Sequence, residues 1–318
     1  MKASLPVCVL ALAPVAALLQ CQGSLENEAI FLPPGDGGRD DARVDAAPPT
    51  DALAPLDAAA EALADSSPGE RNLTTDTTQF GLGGASRCAG AAVQLCEDFE
   101  TGALDTKTWT VSGTPPVIDG LQRARGQKAL HIKRAGNGQS YIRESKTFPA
   151  PNNSYYGRAY VYFATLPGLP MTYAHWTFAA ASGTGVAGEI RLSGQLQNGK
   201  NLFGVGTDSQ GQAGGTGDWT TSDKDPNGQP AAVPTGKWLC LEWLHKGATN
   251  ETRFYWDAAE HPSLSTTTSK NGGNGNPYIL PTFTNVWIGW QEYQPSSLNF
   301  EMWVDEIAID PARIGCVL

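Results

Sequence analysis

The stretch GEIRLSGQLQ, residues 188–197, alternates along its whole length. Ile190, Leu192, Gly194 and Leu196 fall on one side of an extended chain, and Glu189, Arg191, Ser193, Gln195 and Gln197 fall on the other. Side chains of a strand point to opposite faces with period two, so this segment is a strand with an apolar back on a core and a polar front. The front lines up a carboxylate, a guanidinium and amides, a richer mixture than solvation alone requires.

Outward from this strand, similar segments recur: LHIKRA (130–135), SYIRESKTF (140–148), YYGRAYVYFATL (155–166), AHWTFAAA (174–181), LFGVGTD (202–208), WLCLEWLHKG (238–247), TRFYWDA (252–258), NVWIGWQEY (285–293) and FEMWVDEIAID (300–310). Many short strands separated by Gly, Asn and Pro turns predict an all-β sandwich of jelly-roll type. No repeat of solenoid or propeller length is visible. The Gly-rich loops SQGQAGGTGD (209–218) and SKNGGNGNP (269–277) are expected at the rim of a groove.

The chain before these strands has another character. Met1 and Lys2 precede an apolar run from Leu5 to Leu19, too short for a permanent span and suited to an export signal over residues 1–21. Leu18-Leu19-Gln20-Cys21 resembles a bacterial lipoprotein box, with Gln20 where a small residue is usual, so lipidation at Cys21 and simple secretion both stand. Residues 22–85 are rich in Ala, Asp and Pro and read as a disordered tether. Twelve acidic residues against Arg39, Arg43 and Arg71 give the tether −9 of the chain's −10. With Lys2 set aside, residues 86–318 carry −2, a balance that argues against nucleic acid. That remainder holds all nine Trp and is long enough for one sizeable core.

Cys8 leaves with the signal and Cys21 is lipidated or removed, leaving Cys88, Cys96, Cys240 and Cys316. Four cysteines permit three pairings, and an oxidising compartment favours bridges. The expected pairs are Cys88–Cys96 as a local loop and Cys240–Cys316 as a clamp on the C-terminal segment.

CEDFETGALDTKTW (96–109), PTGKWLCLEW (234–243), NVWIGWQEY (285–293) and WVDEIAIDPARIGC (303–316) resemble, in order, the core domain of the cellulose-induced secreted proteins of cellulolytic fungi. Those are jelly rolls of concanavalin A-like fold related to glucuronan and alginate lyases. The resemblance implies a structural Ca2+ held by Glu100 and Asp305, with backbone carbonyls from the loop ARGQKA around Arg125 and Lys128. Calcium takes six to eight oxygens and accepts carboxylates mixed with carbonyls. The family often carries a side-chain oxygen where Lys128 stands. The resemblance also implies a saccharide-binding sheet on which His175, Arg191, Gln195 and Tyr293 gather round one uronate. Period two adds Tyr173 and Thr177 to the face of His175, and Gln291 to that of Tyr293. Glu189, Gln197 and Gln291 are then candidate substrate-binding neighbours.

This mixture suits β-elimination. A proton alpha to a uronate carboxylate becomes removable once the growing charge is neutralised, a task for Arg191 with Gln195. His175 or Tyr293 would take the proton, and Tyr293 would return one to the leaving oxygen. The alternative is a carbohydrate-binding module, in which Tyr293 is a sugar platform joined by Trp219, Trp256 or Trp287, and Arg191 merely pairs with Glu189. A cell-surface scaffold without saccharide affinity is a third class. Hydrolysis needs two carboxylates flanking a bond, for which Glu242, Glu292 and Glu301 are available. However, E-x-D-x-x-E, G-x-S-x-G and nucleotide fingerprints are absent or out of context. The expected protein is therefore secreted or an outer-surface lipoprotein, monomeric, and partnered by a polysaccharide, with a membrane contact only through Cys21.

Overall fold

The computed structural model describes residues 70–185, 188–207, 219–221, 232–266, 279–294 and 299–318. The export signal, Cys21, most of the tether and the two Gly-rich loops lie outside the described residues. In chain order the strands are β1 (Leu95–Glu97), β2 (Trp109–Gly113), β3 (Val117–Asp119), β4 (Ala129–Ala135), β5 (Gly138–Glu144), β6 (Ser154–Thr165), β7 (Tyr173–Thr184) and β8 (Glu189–Gln197). They continue as β9 (Lys200–Thr207), β10 (Trp219–Thr221), β11 (Trp238–Lys246), β12 (Glu251–Trp256), β13 (Ala259–Glu260), β14 (Thr282–Glu292) and β15 (Asn299–Asp310). Two antiparallel sheets form, one in the order β13-β12-β11-β6-β15-β4-β3 with β1 also on β15, the other in the order β10-β9-β8-β7-β14-β5-β2. Their inner faces enclose one core to which every long strand contributes alternate residues, as a two-sheet sandwich requires.

An aromatic column crosses that core. Trp176 of β7 stacks on Trp290 of β14 at 4.9 Å between centroids, and Trp290 stacks on Phe300 of β15, in the opposite sheet, at 3.8 Å. Such pairs contribute about 0.5–1.5 kcal/mol each beyond the area they bury. The column accounts for Gly194 in the opening stretch. A Cβ there would lie 2.0 Å from the Trp176 ring, so only glycine lets the indole lie flat against β8.

Two irregularities decide which side chains leave the core. The β7–β8 register shifts between Thr177 and Ala179, and the β7–β14 register shifts between Ile288 and Gln291. Phe178 and Ala179 both enter the core, so outward parity on β7 changes from His175 and Thr177 to Ala180 and Ser182. A third bulge, in β15 between Asp305 and Ala308 with Glu306 at φ 46°, turns two neighbouring acids to the outer side of the first sheet.

That outer side is closed by the two ends of the described chain. Residues 70–85, assigned to the tether by composition, belong instead to the ordered domain. Arg71 pairs with Asp310 at 3.2 Å, and Phe80 is buried with Tyr160, Cys240 and Cys316. One buried aromatic and one ion pair outweigh the local excess of small and acidic residues. Beneath this strap, Arg125 and Arg158 converge on Glu306 at 2.6 and 3.6 Å, all three side chains fully buried. Both expected disulfides, Cys88–Cys96 and Cys240–Cys316, are formed.

Candidate functional site

The outer face of the second sheet is built from the residues the alternation pointed to. Antiparallel register sets His175 opposite Gln195, Thr177 opposite Ser193, Ser182 opposite Glu189 and Tyr173 opposite Gln197. On the other flank, Gln291 lies opposite Thr177. Tyr293 follows immediately after β14, its backbone N–H donating to the His175 carbonyl at 3.2 Å. The loop residue is thereby fixed to the strand that carries the imidazole.

His175, Arg191 and Tyr293 form one cluster. The His175 and Tyr293 rings are 5.0 Å apart, and the Arg191 guanidinium carbon lies 4.9 Å from the Tyr293 centroid, a cation–π distance. The Tyr293 hydroxyl is 3.2 Å from Thr177 Oγ1, which is itself 2.9 Å from Ser193 Oγ. Thr177 and Ser193 are fully buried, so two hydroxyls underlie the phenol and fix its position. Arg191 Nε donates to Glu189 Oε1 at 2.5 Å, while Ser182 Oγ donates to Glu189 Oε2 at 3.2 Å. Glu189 therefore orients the guanidinium through its Nε edge. Gln195 lies opposite His175 in the ladder, Gln197 lies opposite Tyr173 and Gln291 opposite Thr177.

Four further residues share this face. Trp287, almost fully buried, stacks on Tyr141 at 4.4 Å with Ala180 beside them, and Arg143 donates to the Tyr141 hydroxyl at 3.1 Å. Their parity is visible in SYIRE, but pairing with β14 comes only from the topology. Trp256 packs against the core instead of standing as a platform, and the side chain of Trp219 lies outside the described set.

The acids available for hydrolysis do not converge here. Glu242 binds Arg313 Nε at 2.9 Å and the backbone N–H groups of Ile314 and Gly315, on the first sheet. Glu301, also on the first sheet, binds His131 and Lys133. Glu292 points to the core side of β14, where burial pushes its carboxyl up to about 7. Two cavities lie away from this face. One of about 440 Å³ lies by Arg71, Arg87 and Val317, and one of about 270 Å³ lies by Tyr160, Lys237 and Asp257.

The loop 124–128 does join both expected calcium acids. Backbone N–H groups of Ala124 and Arg125 donate to Asp305 Oδ2 at 2.8 and 3.1 Å, and those of Gln127 and Lys128 donate to Glu100 Oε1 at 2.8 and 2.9 Å. Gly126, at φ +64°, leaves room for the Glu100 carboxylate, which a Cβ would meet at 2.3 Å. The loop thus presents amide hydrogens to the acids, and Lys128 Nζ lies 3.4 Å from the Glu100 carbonyl. No group of three or more His, Cys, Asp or Glu suited to a metal occurs among the described residues. Asp305 is fully buried, and no cation pairs with it among the described residues. Burial pushes its carboxyl up to about 7. The two acids, from the segment after β1 and from β15, thus both accept from one loop, and each keeps a lone pair beyond those bonds.

No family model matches the chain, and neither does any curated relative. Among solved structures, the cellulose induced protein Cip1 is 22% identical, with a TM-score of 0.54 over 70% of this chain and 100% of that one. The chain shares that protein's fold. The alginate lyase AlyC3 (TM-score 0.37, 13% identity, 57% of this chain and 74% of that) is a looser likeness. So is the CBM22-1 xylan-binding domain of Paenibacillus barcinonensis Xyn10C (TM-score 0.33, 13% identity, 70% of this chain and 95% of that).

Proposed function

We propose that the outer face of the second sheet binds an acidic polysaccharide outside the cell and cleaves it by β-elimination. The observation that carries this is the single cluster of Arg191, Tyr293 and His175, with the Tyr293 hydroxyl seated on Thr177. Arg191 neutralises the uronate carboxylate, with Gln195 as an amide donor. His175 or Tyr293 takes the alpha proton. The electron pair left behind forms the new carbon–carbon double bond, the bond to the glycosidic oxygen breaks, and Tyr293 returns a proton to that oxygen. A second reading, non-catalytic carbohydrate binding, is favoured by the Glu189–Arg191 ion pair, which already offsets part of the guanidinium charge. The two disulfides support an exported protein, secreted or anchored at Cys21.

Incubation of the purified protein with glucuronan, alginate, pectate and cellulose separates the readings. An ultraviolet rise from unsaturated uronate ends on a polyuronate, absent in Arg191→Ala, is the expected result. Retention on a polymer without any rise would establish the binding module in its place.

Calcium at Glu100 and Asp305 is a companion proposal. Its role is structural, since it would tie the segment after β1 and the last strand to one loop. A chelator should lower the melting temperature, and restored calcium should recover it. An unchanged melt in chelator refutes the site.

A further inference from the structure

We propose that Arg143 forms a second carboxylate-binding position on this face, so that the ligand is a chain with repeated acidic groups. The proposal rests on the saccharide-binding reading above and deepens it. Register places Arg191, Ala180, Trp287 and Arg143 in one row across β8, β7, β14 and β5. The two arginines are three strand spacings apart, about 14 Å between backbones. One small acid cannot meet both, whereas an extended polyuronate carries carboxylates at intervals along its length.

The two guanidinium groups differ in their surroundings. Arg191 is held by Glu189 at 2.5 Å. No carboxylate among the described residues forms an ion pair with Arg143, which is half-buried over the Tyr141 ring at 5.6 Å and donates to its hydroxyl. Its Nε is buried without a hydrogen-bond partner, and so is Oδ1 of Asn285, two residues before Trp287 on the same side of β14. Buried polar groups are ordinarily satisfied, and leaving one unmade is costly. An unsatisfied donor across from Trp287 and an unsatisfied acceptor two residues along its strand match in kind what a uronate brings, a carboxylate and ring hydroxyls. The planar fork of arginine suits the carboxylate, and its anchoring to Tyr141 limits the ordering lost on binding.

Affinity electrophoresis of the full chain through alginate, pectate, glucuronan and neutral cellulose tests the assignment. Arg143→Gln is expected to weaken retention on the acidic polymer roughly tenfold and to flatten its salt dependence, with retention on neutral polymer unchanged. Arg143→Lys should recover part of the loss, because charge remains while the fork is gone. Matched melting temperatures separate a lost contact from a misfolded sheet. Acidic-polymer binding by Arg143→Gln equal to the parent, or an equal loss on neutral polymer, overturns the assignment. Failure of the unaltered protein to bind any acidic polymer overturns the underlying reading, before a variant is made.

Discussion

Tyr293→Phe is expected to lower turnover of a polyuronate by about 10²–10⁴-fold while leaving its dissociation constant within about threefold. The size of the effect follows from what the substitution leaves in place. The ring keeps its contact with His175 at 5.0 Å and its position under the Arg191 guanidinium at 4.9 Å, so the surface offered to a sugar is unaltered. Only the hydroxyl seated on Thr177 is removed, and with it the proton the leaving oxygen requires. A loss confined to kcat identifies proton transfer, whereas a loss confined to KM identifies a binding contact. If the variant turned over at the parent rate, Tyr293 would be a platform and the elimination would need another acid.

Glu306→Ala should produce the largest stability loss, about 3–5 kcal/mol, from removing one partner of a buried ion-pair cluster. Glu306 Oε2 accepts from Arg125 at 2.6 Å and is ion-paired with Arg158 at 3.6 Å, and Oε1 accepts the Arg87 backbone N–H at 2.7 Å. Two fully buried guanidinium groups would keep only carbonyl and phenol partners, including Phe80, Tyr160, Cys316 and Leu318. In a domain of this size the melting temperature should fall on the order of 10 °C. Thermal unfolding followed by tryptophan fluorescence measures it. A change within about 2 °C would mean that the strap over the first sheet relaxes and admits water to the arginines.

Period-two alternation was enough to locate every long strand, because each has one face in the core and one outside it. The short strands β1, β2, β3, β10 and β13 are not legible in the sequence, since two to five residues hold too few alternations to read. Bulges were equally silent. Nothing in AHWTFAAA announces that Phe178 and Ala179 both turn inward, a result of register against β8 and β14. The cluster of His175, Arg191 and Tyr293 was legible as three parities plus a resemblance, whereas its supporting hydroxyl from Ser193 and the neighbouring Tyr141–Trp287 stack required the strand order. The packing of residues 70–85 is hidden from composition, which averages over a window, whereas Phe80 and Arg71 act singly.

The interleaving of face and core along β7 and β8 has a consequence for how such a protein diversifies. Arg191 lies between Ile190 and Leu192, and His175 lies between Ala174 and Trp176, so each of these two ligand-facing positions is bracketed by fully buried neighbours. Those neighbours hold the backbone in place whatever the intervening side chain is. Ligand preference can therefore be rewritten one alternate residue at a time, with the scaffold as a fixed grid, and descendants of one sandwich can part company in chemistry long before they part in shape.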